Sequence, residues 1–208
     1  MEIEKLTLGP LHTNCYIIHN HMEAIIIDPS GDAPQIVGMI DNLGVKVKAI
    51  LLTHAHFDHI GALEAVRNQF SIPVYIHLAE SDWLTDPQLN GSARFGMDPL
   101  ICERADHEVH DGNLKIGNFS IDVLHVPGHS PGSIAFVFPQ SSMVIGGDCL
   151  FREGIGRTDL PGGSYSDIQE SIRLKLFSLP DSFTVYPGHG PSTTIYHEKH
   201  NNPFITMD

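Results

Sequence analysis

Thr53-His54-Ala55-His56-Phe57-Asp58-His59 packs three imidazoles and a carboxylate into residues 54–59. The run follows the apolar, strand-like segment from Ala49 and precedes a helix expected from near Ile60 to Phe70, with Leu63, Val66, Arg67 and Phe70 at helical spacing. The cluster therefore leaves the end of a strand. In an extended stretch His54, His56 and Asp58 share one side, because side chains alternate, and His59 projects the other way. Neutral imidazole is the commonest metal ligand, and a carboxylate beside it adds compensating charge. Donors this dense fit neither an apolar core nor an ordinary solvated surface.

Four such groups cannot complete two coordination shells, so further ligands are expected along the chain. His129 lies in Val126-Pro127-Gly128-His129-Ser130-Pro131-Gly132, Asp148 in Gly146-Gly147-Asp148, and His189 in Tyr186-Pro187-Gly188-His189-Gly190. Each follows a predicted strand and sits among glycines, which let backbones approach closely. A lone loop histidine is usually a surface hydrogen-bonding group. Three such residues behind a ligand-dense cluster support one another.

The rest of the chain alternates short β-branched runs with helical stretches. Strands are expected at Ile3 to Leu8, Cys15 to His19, Ala24 to Asp28, Ala49 to Thr53, Val74 to Ile76, Leu114 to Ile116, Ile121 to His125, Ile134 to Phe138, Met143 to Ile145 and Thr184 to Tyr186. Asp32 can cap a helix that has Pro34 in its first turn and ends at Gly44. A capping box of Ser166 with Gln169 is expected to open a helix with Ile168, Ile172, Leu176 and Phe177 on its apolar face. Strands separated by helices indicate a layered α/β protein, expected as one domain over 1–208.

Composition narrows the class of partner. With 41% hydrophobic and 18% charged residues the chain is globular, and 208 residues suffice for a core. The 25 Asp and Glu against 12 Lys and Arg give a formal charge of −13, which repels phosphate backbones and offers nothing to an anionic membrane. An odd set of cysteines, Cys15, Cys102 and Cys149, argues against a disulfide framework and for a reducing compartment. The acidic start Met1-Glu2-Ile3-Glu4-Lys5 does not read as a signal peptide, and no run reaches the length of a membrane helix. The cytoplasm is the expected location.

The order HxHxDH, PGHSPG, GGD, PGHG resembles the metallo-β-lactamase superfamily and, within it, the glyoxalase II branch, the hydroxyacylglutathione hydrolases, in its short bacterial form. The similarity runs from Gly9-Pro10 and Asn14-Cys15-Tyr16 to Asn202-Pro203-Phe204, and is densest at 53–62, 146–151, 156–163 and 186–194. It implies the αββα sandwich, with His54, His56 and His129 on one metal, Asp58, His59 and His189 on a second, and Asp148 bridging them. Two divalent ions are implied, with zinc first and iron or manganese also compatible. The implied reaction is hydrolysis of a 2-hydroxyacyl thioester by a metal-bridging hydroxide that Asp58 helps to aim. Thiolate leaves readily, so no separate general acid is needed, and the chain has no G-x-S-x-G elbow.

Fully grown glyoxalase II enzymes continue into a C-terminal helical domain that contacts glutathione, and the resemblance here does not extend to one. The thiol stays open among glutathione, another small thiol such as bacillithiol, and an acyl carrier. The alternative reaction is that of a mono-iron persulfide dioxygenase of the same fold, using His54 or His56 with His129 and Asp148. A nuclease of the superfamily is disfavoured by the acidic charge. The residues Arg157, Thr158 and Asp159 resemble a family segment near the site, and Arg157 is expected to pair with either a substrate carboxylate or Asp159. Tyr165 is a weaker candidate for the pocket wall. Ordinary structural roles are expected for Cys149 (small and buried), His12 (surface turn), Trp83 (core or groove wall), and His197 with His200 (solvated in a polar tail).

Overall fold

Short strands frame the structure, a computed structural model that describes residues 1–94 and 98–205. They gather into two compact units, one of residues 1–109 with 115–119, the other of 110–114 with 120–208. Among the described residues no helix is long and apolar enough to cross a membrane.

The first unit carries a six-stranded sheet in sequential order: β1 (Glu2–Leu8), β2 (Thr13–His19), β3 (Glu23–Ile27), β4 (Lys46–Leu51), β5 (Val74–His77) and β6 (His107–Val109). β1, β2 and β3 pair antiparallel, whereas β3 to β6 run parallel. Parallel neighbours need long crossovers. Two of these contain helices, α1 (Ala33–Leu43) and α2 (Leu63–Phe70). Every residue of β2 is buried, as are Ala24 to Ile27 and Ala49 to Leu51, which explains why these strands read as continuous apolar runs. Ile17, Ile26, Ile50, Leu63 and Trp83 belong to one core cluster.

The second unit carries the first three residues of β7 (Gly112–Ile116), all but the first residue of β8 (Phe119–His125), β9 (Ile134–Phe138), β10 (Met143–Gly147), the short pair β11 (Leu150–Phe151) and β12 (Gly154–Ile155), α3 (Tyr165–Ser171), β13 (Thr184–Pro187), β14 (Thr193–Thr194) and α4 (Ile195–Asn201). Its sheet order is β14-β13-β10-β9-β8-β7, with β10 and β13 parallel. α3 continues into a π-helical turn, Ile172–Leu176, closed by the Phe177 N–H on the Ile172 carbonyl at 2.8 Å. Ile168, Ile172, Leu176 and Phe177 are all buried in the core, as their spacing predicts.

In both units a parallel pair sends two chain segments out side by side. Ile27 lies opposite Leu51, so Asp28 and Thr53 leave the first sheet together. Gly147 lies opposite Pro187, so Asp148 and His189 leave the second together. Ligand sites favour such carboxyl ends of parallel strands.

Several local expectations need correction. Asp32 occupies the N-cap position of α1 but is left-handed and makes no capping bond; its carboxylate accepts from the Gly9 N–H at 3.5 Å. α2 starts at Leu63 rather than near Ile60, because residues 57–59 form a turn. α3 is capped by Ser164, which accepts from the Asp167 N–H at 3.3 Å, so the box centred on Ser166 lies two residues late. The C-terminal stretch is a helix rather than a solvated tail: Thr194 caps α4, and the fully buried Glu198 accepts from Thr193, Glu153 N–H and Asn202. His197 pairs with Glu153 at 2.9 Å.

Replacing a Ser N-cap by Ala typically costs about 1 kcal/mol. Ser164→Ala is expected to lower stability by about that amount in urea unfolding, and Ser166→Ala by less than about 0.5 kcal/mol. Equal losses would place the cap at neither residue.

Candidate metal centre

The first unit brings His54, His56, Asp58 and His59 together just past β4. The chain is not extended there. The His59 N–H donates to the His56 carbonyl at 2.9 Å, closing a turn that folds His59 back until its ring centroid lies 4.1 Å from that of His54. The expected opposite projection of His59 is therefore wrong. Candidate ligand atoms of His54 and His56, of His54 and His59, and of Asp58 and His59 lie within 4.8 Å of each other.

Hydrogen bonds set which ring nitrogen is left to coordinate. The Thr53 hydroxyl donates to Asp28 Oδ2 at 2.6 Å, so its oxygen is left to accept from His54 Nδ1 at 3.0 Å. His59 Nδ1 donates to the same Asp28 Oδ2 at 2.9 Å. In both rings Nδ1 carries the proton and Nε2 presents its lone pair, the usual arrangement behind a metal-bound histidine. Asp28 also accepts from the Thr53 N–H at 2.8 Å. Thr13 donates to Asp58 Oδ2 at 2.8 Å and fixes that carboxylate. Trp83, buried as expected, sets its ring 5.8 Å from that of His56.

The second unit brings His129, Asp148 and His189 together. His129 Nδ1 donates to the Arg157 carbonyl at 2.8 Å, so this imidazole too presents Nε2. Asp148 Oδ2 lies 3.6 Å from His129 Nε2 and 3.4 Å from His189 Nε2. Two donors each about 2.1 Å from a tetrahedral ion stand about 3.4 Å apart. The two Asp148 contacts, and the 3.6 Å from His59 Nε2 to Asp58 Oδ2, match the edges of a coordination shell better than they match hydrogen bonds. His189 is the open side, with 30% of its side chain exposed. The donors in each unit thus fit divalent metal, and all are imidazole or carboxylate.

Gly156 is required by close approach: a Cβ there would lie 1.8 Å from the Asp148 carbonyl oxygen and 3.1 Å from the His129 Cβ. Cys149 is fully buried, and burial, with Asp148 beside it, pushes its thiol well above the ordinary range. It stays a protonated core residue. Arg157 is engaged by Asp159 through two 2.7 Å bonds, which hold that carboxyl down at about 2. Tyr165 is half exposed and its hydroxyl accepts from Gln169. His12 sits in an exposed turn, its N–H on the Gly9 carbonyl. Beside Asp58 opens a cleft of about 330 Å³ walled by Pro10, Phe57 and Leu100, with Asp32 and Asp98 also lining it. Sequence reasoning missed Asp28, Thr53 and Thr13 as supporting residues. Only Asp28, an acid closing an apolar strand, gave a usable signal.

Residues 8–189 match the family model described as "Metallo-beta-lactamase superfamily". The "Probable metallo-hydrolase YqgX" of Bacillus subtilis is 44% identical over 99% of this chain and 98% of its own length. The "Hydroxyacylglutathione hydrolase GloC" of Haemophilus influenzae is 36% identical over 99% and 98%. Among solved structures, BLEG-1 B3 metallo-beta-lactamase superposes with a TM-score of 0.96 at 46% identity, covering 99% of this chain and all of that one. TTHA1623 in a di-iron-bound form gives 0.87 at 36% identity, covering 97% and 100%.

Asp28→Asn turns an amide N–H towards groups that now donate to a carboxylate. Metal affinity, measured by chelator competition, is expected to fall about 10- to 100-fold. Parent affinity would mean that Asp28 does not govern the tautomers of His54 and His59.

Proposed function

The chain belongs to the metallo-beta-lactamase superfamily and has its fold, and from that premise we propose that it is a binuclear hydrolase of 2-hydroxyacyl thioesters of a small thiol. The carrying observation is the donor set: four ligands in the first unit, three in the second, and Asp148 Oδ2 flanked by two imidazoles. We assign His54, His56 and His129 to one ion, Asp58, His59 and His189 to the other, and Asp148 to both. Zinc suits these donors, and the di-iron form of TTHA1623 supports iron as an alternative to zinc or manganese. The likeness to GloC supports a thioester substrate.

Two divalent cations held by these residues would supply hydroxide at neutral pH and a Lewis acid for the substrate carbonyl. The chain's own part is orientation. Thr13 occupies Asp58 Oδ2, which holds the carboxylate in one rotamer as acceptor for the nucleophile's proton. Asp28 and the Arg157 carbonyl keep three imidazoles in the coordinating tautomer. The cleft beside Asp58 is room for the acyl or thiol part. Arg157 could take a substrate carboxylate only by releasing Asp159, and Tyr165 is the second candidate contact. The acidic surface supports a small-molecule partner over nucleic acid or membrane, and three buried free thiols support the cytoplasm.

Purified parent protein is expected to carry two ions per chain and to hydrolyse an S-lactoyl thioester, with oxygen uptake on a persulfide at background. One iron per chain, strong oxygen uptake and no thioesterase activity would assign it to the dioxygenases instead.

Asp58→Asn, nearly isosteric but a poor proton acceptor, is expected to lower turnover about 100-fold while keeping most of the metal. His54→Ala should lose metal and activity together, and Asp148→Ala should lose activity through loss of the bridge. Parent turnover in a fully loaded Asp58→Asn enzyme would remove Asp58 from the aiming role.

A further inference from the structure

We propose that Glu80 is a positioning residue for the metal centre, holding the main chain between His54 and His56 by a buried charged hydrogen bond; this rests on the metal-centre reading above. Glu80 ends the 3-10 turn Leu78–Glu80 that follows β5, and it is fully buried. Its Oε2 accepts the Ala55 N–H at 2.6 Å, within the short range of bonds to charged acceptors. Ala55 is itself fully buried and offers only a methyl group, so its backbone is the one polar handle between the two histidines.

The loop leaves the sheet after β4 and has no ladder to hold it. Every second N–H is pegged from a different segment instead: Thr53 to the Asp28 carboxylate, Ala55 to Glu80, and Phe57 to the Asn90 carbonyl at 2.9 Å. A neutral carbonyl is enough at Phe57. At Ala55 the acceptor is a buried carboxylate, and a hydrogen bond to a charged acceptor is the stronger kind. Glu80 therefore sets the aim of the two ligands on either side of Ala55.

Cobalt(II) reports coordination geometry by its ligand-field absorption, independently of any substrate. Glu80→Gln keeps an acceptor for Ala55 without the charge; it is expected to retain the parent cobalt spectrum and to bind cobalt about 10-fold more weakly in chelator competition. Glu80→Ala removes both, and is expected to shift the spectrum and weaken binding about 100-fold. Parent affinity and spectrum in Glu80→Ala, with only a lower melting temperature of the metal-free protein, would overturn the proposal and leave Glu80 a folding residue. If Glu80→Ala does not fold, Glu80→Gln decides: weaker cobalt binding with unchanged metal-free melting supports the proposal, and parent affinity overturns it. A parent protein that takes up no cobalt would overturn the metal-centre reading itself.

Discussion

The Asp28 carboxylate is the point from which the metal-binding loop takes its direction. It accepts from the Thr53 N–H, the Thr53 hydroxyl and His59 Nδ1, and through that hydroxyl it also sets the proton on His54. A carboxylate can only accept, so every proton in this chain of bonds points towards it and both imidazoles turn unprotonated Nε2 atoms away from it. Isolated burial of such a charge would be prohibitive. Three donors around it offset much of that, and the parallel pairing of β3 with β4, Ile27 opposite Leu51, puts it beside Thr53, with Asp28 itself in the left-handed region at φ 52°.

The second unit reaches a similar arrangement with a neutral group. The Arg157 carbonyl does for His129 what Asp28 does for His59. Gly156 lets that segment lie against Asp148, where any Cβ would collide. Each unit thus joins a parallel strand pair, which delivers ligands side by side, to a support brought from elsewhere in the chain. Pre-set rings cost little to order when an ion binds, which favours tight binding over adaptable binding.

The ligands were legible because histidine and aspartate at strand ends, in dense or glycine-flanked runs, have few other uses. The strands were legible because β2, β3 and β4 are buried on both faces and so read as apolar runs. Supporting residues left less trace. Asp28 meets Thr53 across 25 residues, Glu80 meets Ala55 across 25, and Thr13 meets Asp58 across 45, distances over which no local pattern speaks. The fold-back of His59 escaped an alternation rule that holds only for extended chain, because a turn at 57–59 intervenes. At α3 the cap is Ser164, two residues before the Ser166 at which the sequence pattern places it.

Position 157 divides its labour between main chain and side chain. The carbonyl that orients His129 is the same chemical group in every amino acid, whereas the guanidinium reaches Asp159 at the surface. Side-chain replacement at 157 leaves the metal support in place, so an alanine scan would pass over it. Mutation can therefore vary the exposed contact while the carbonyl that orients the His129 ring stays in place.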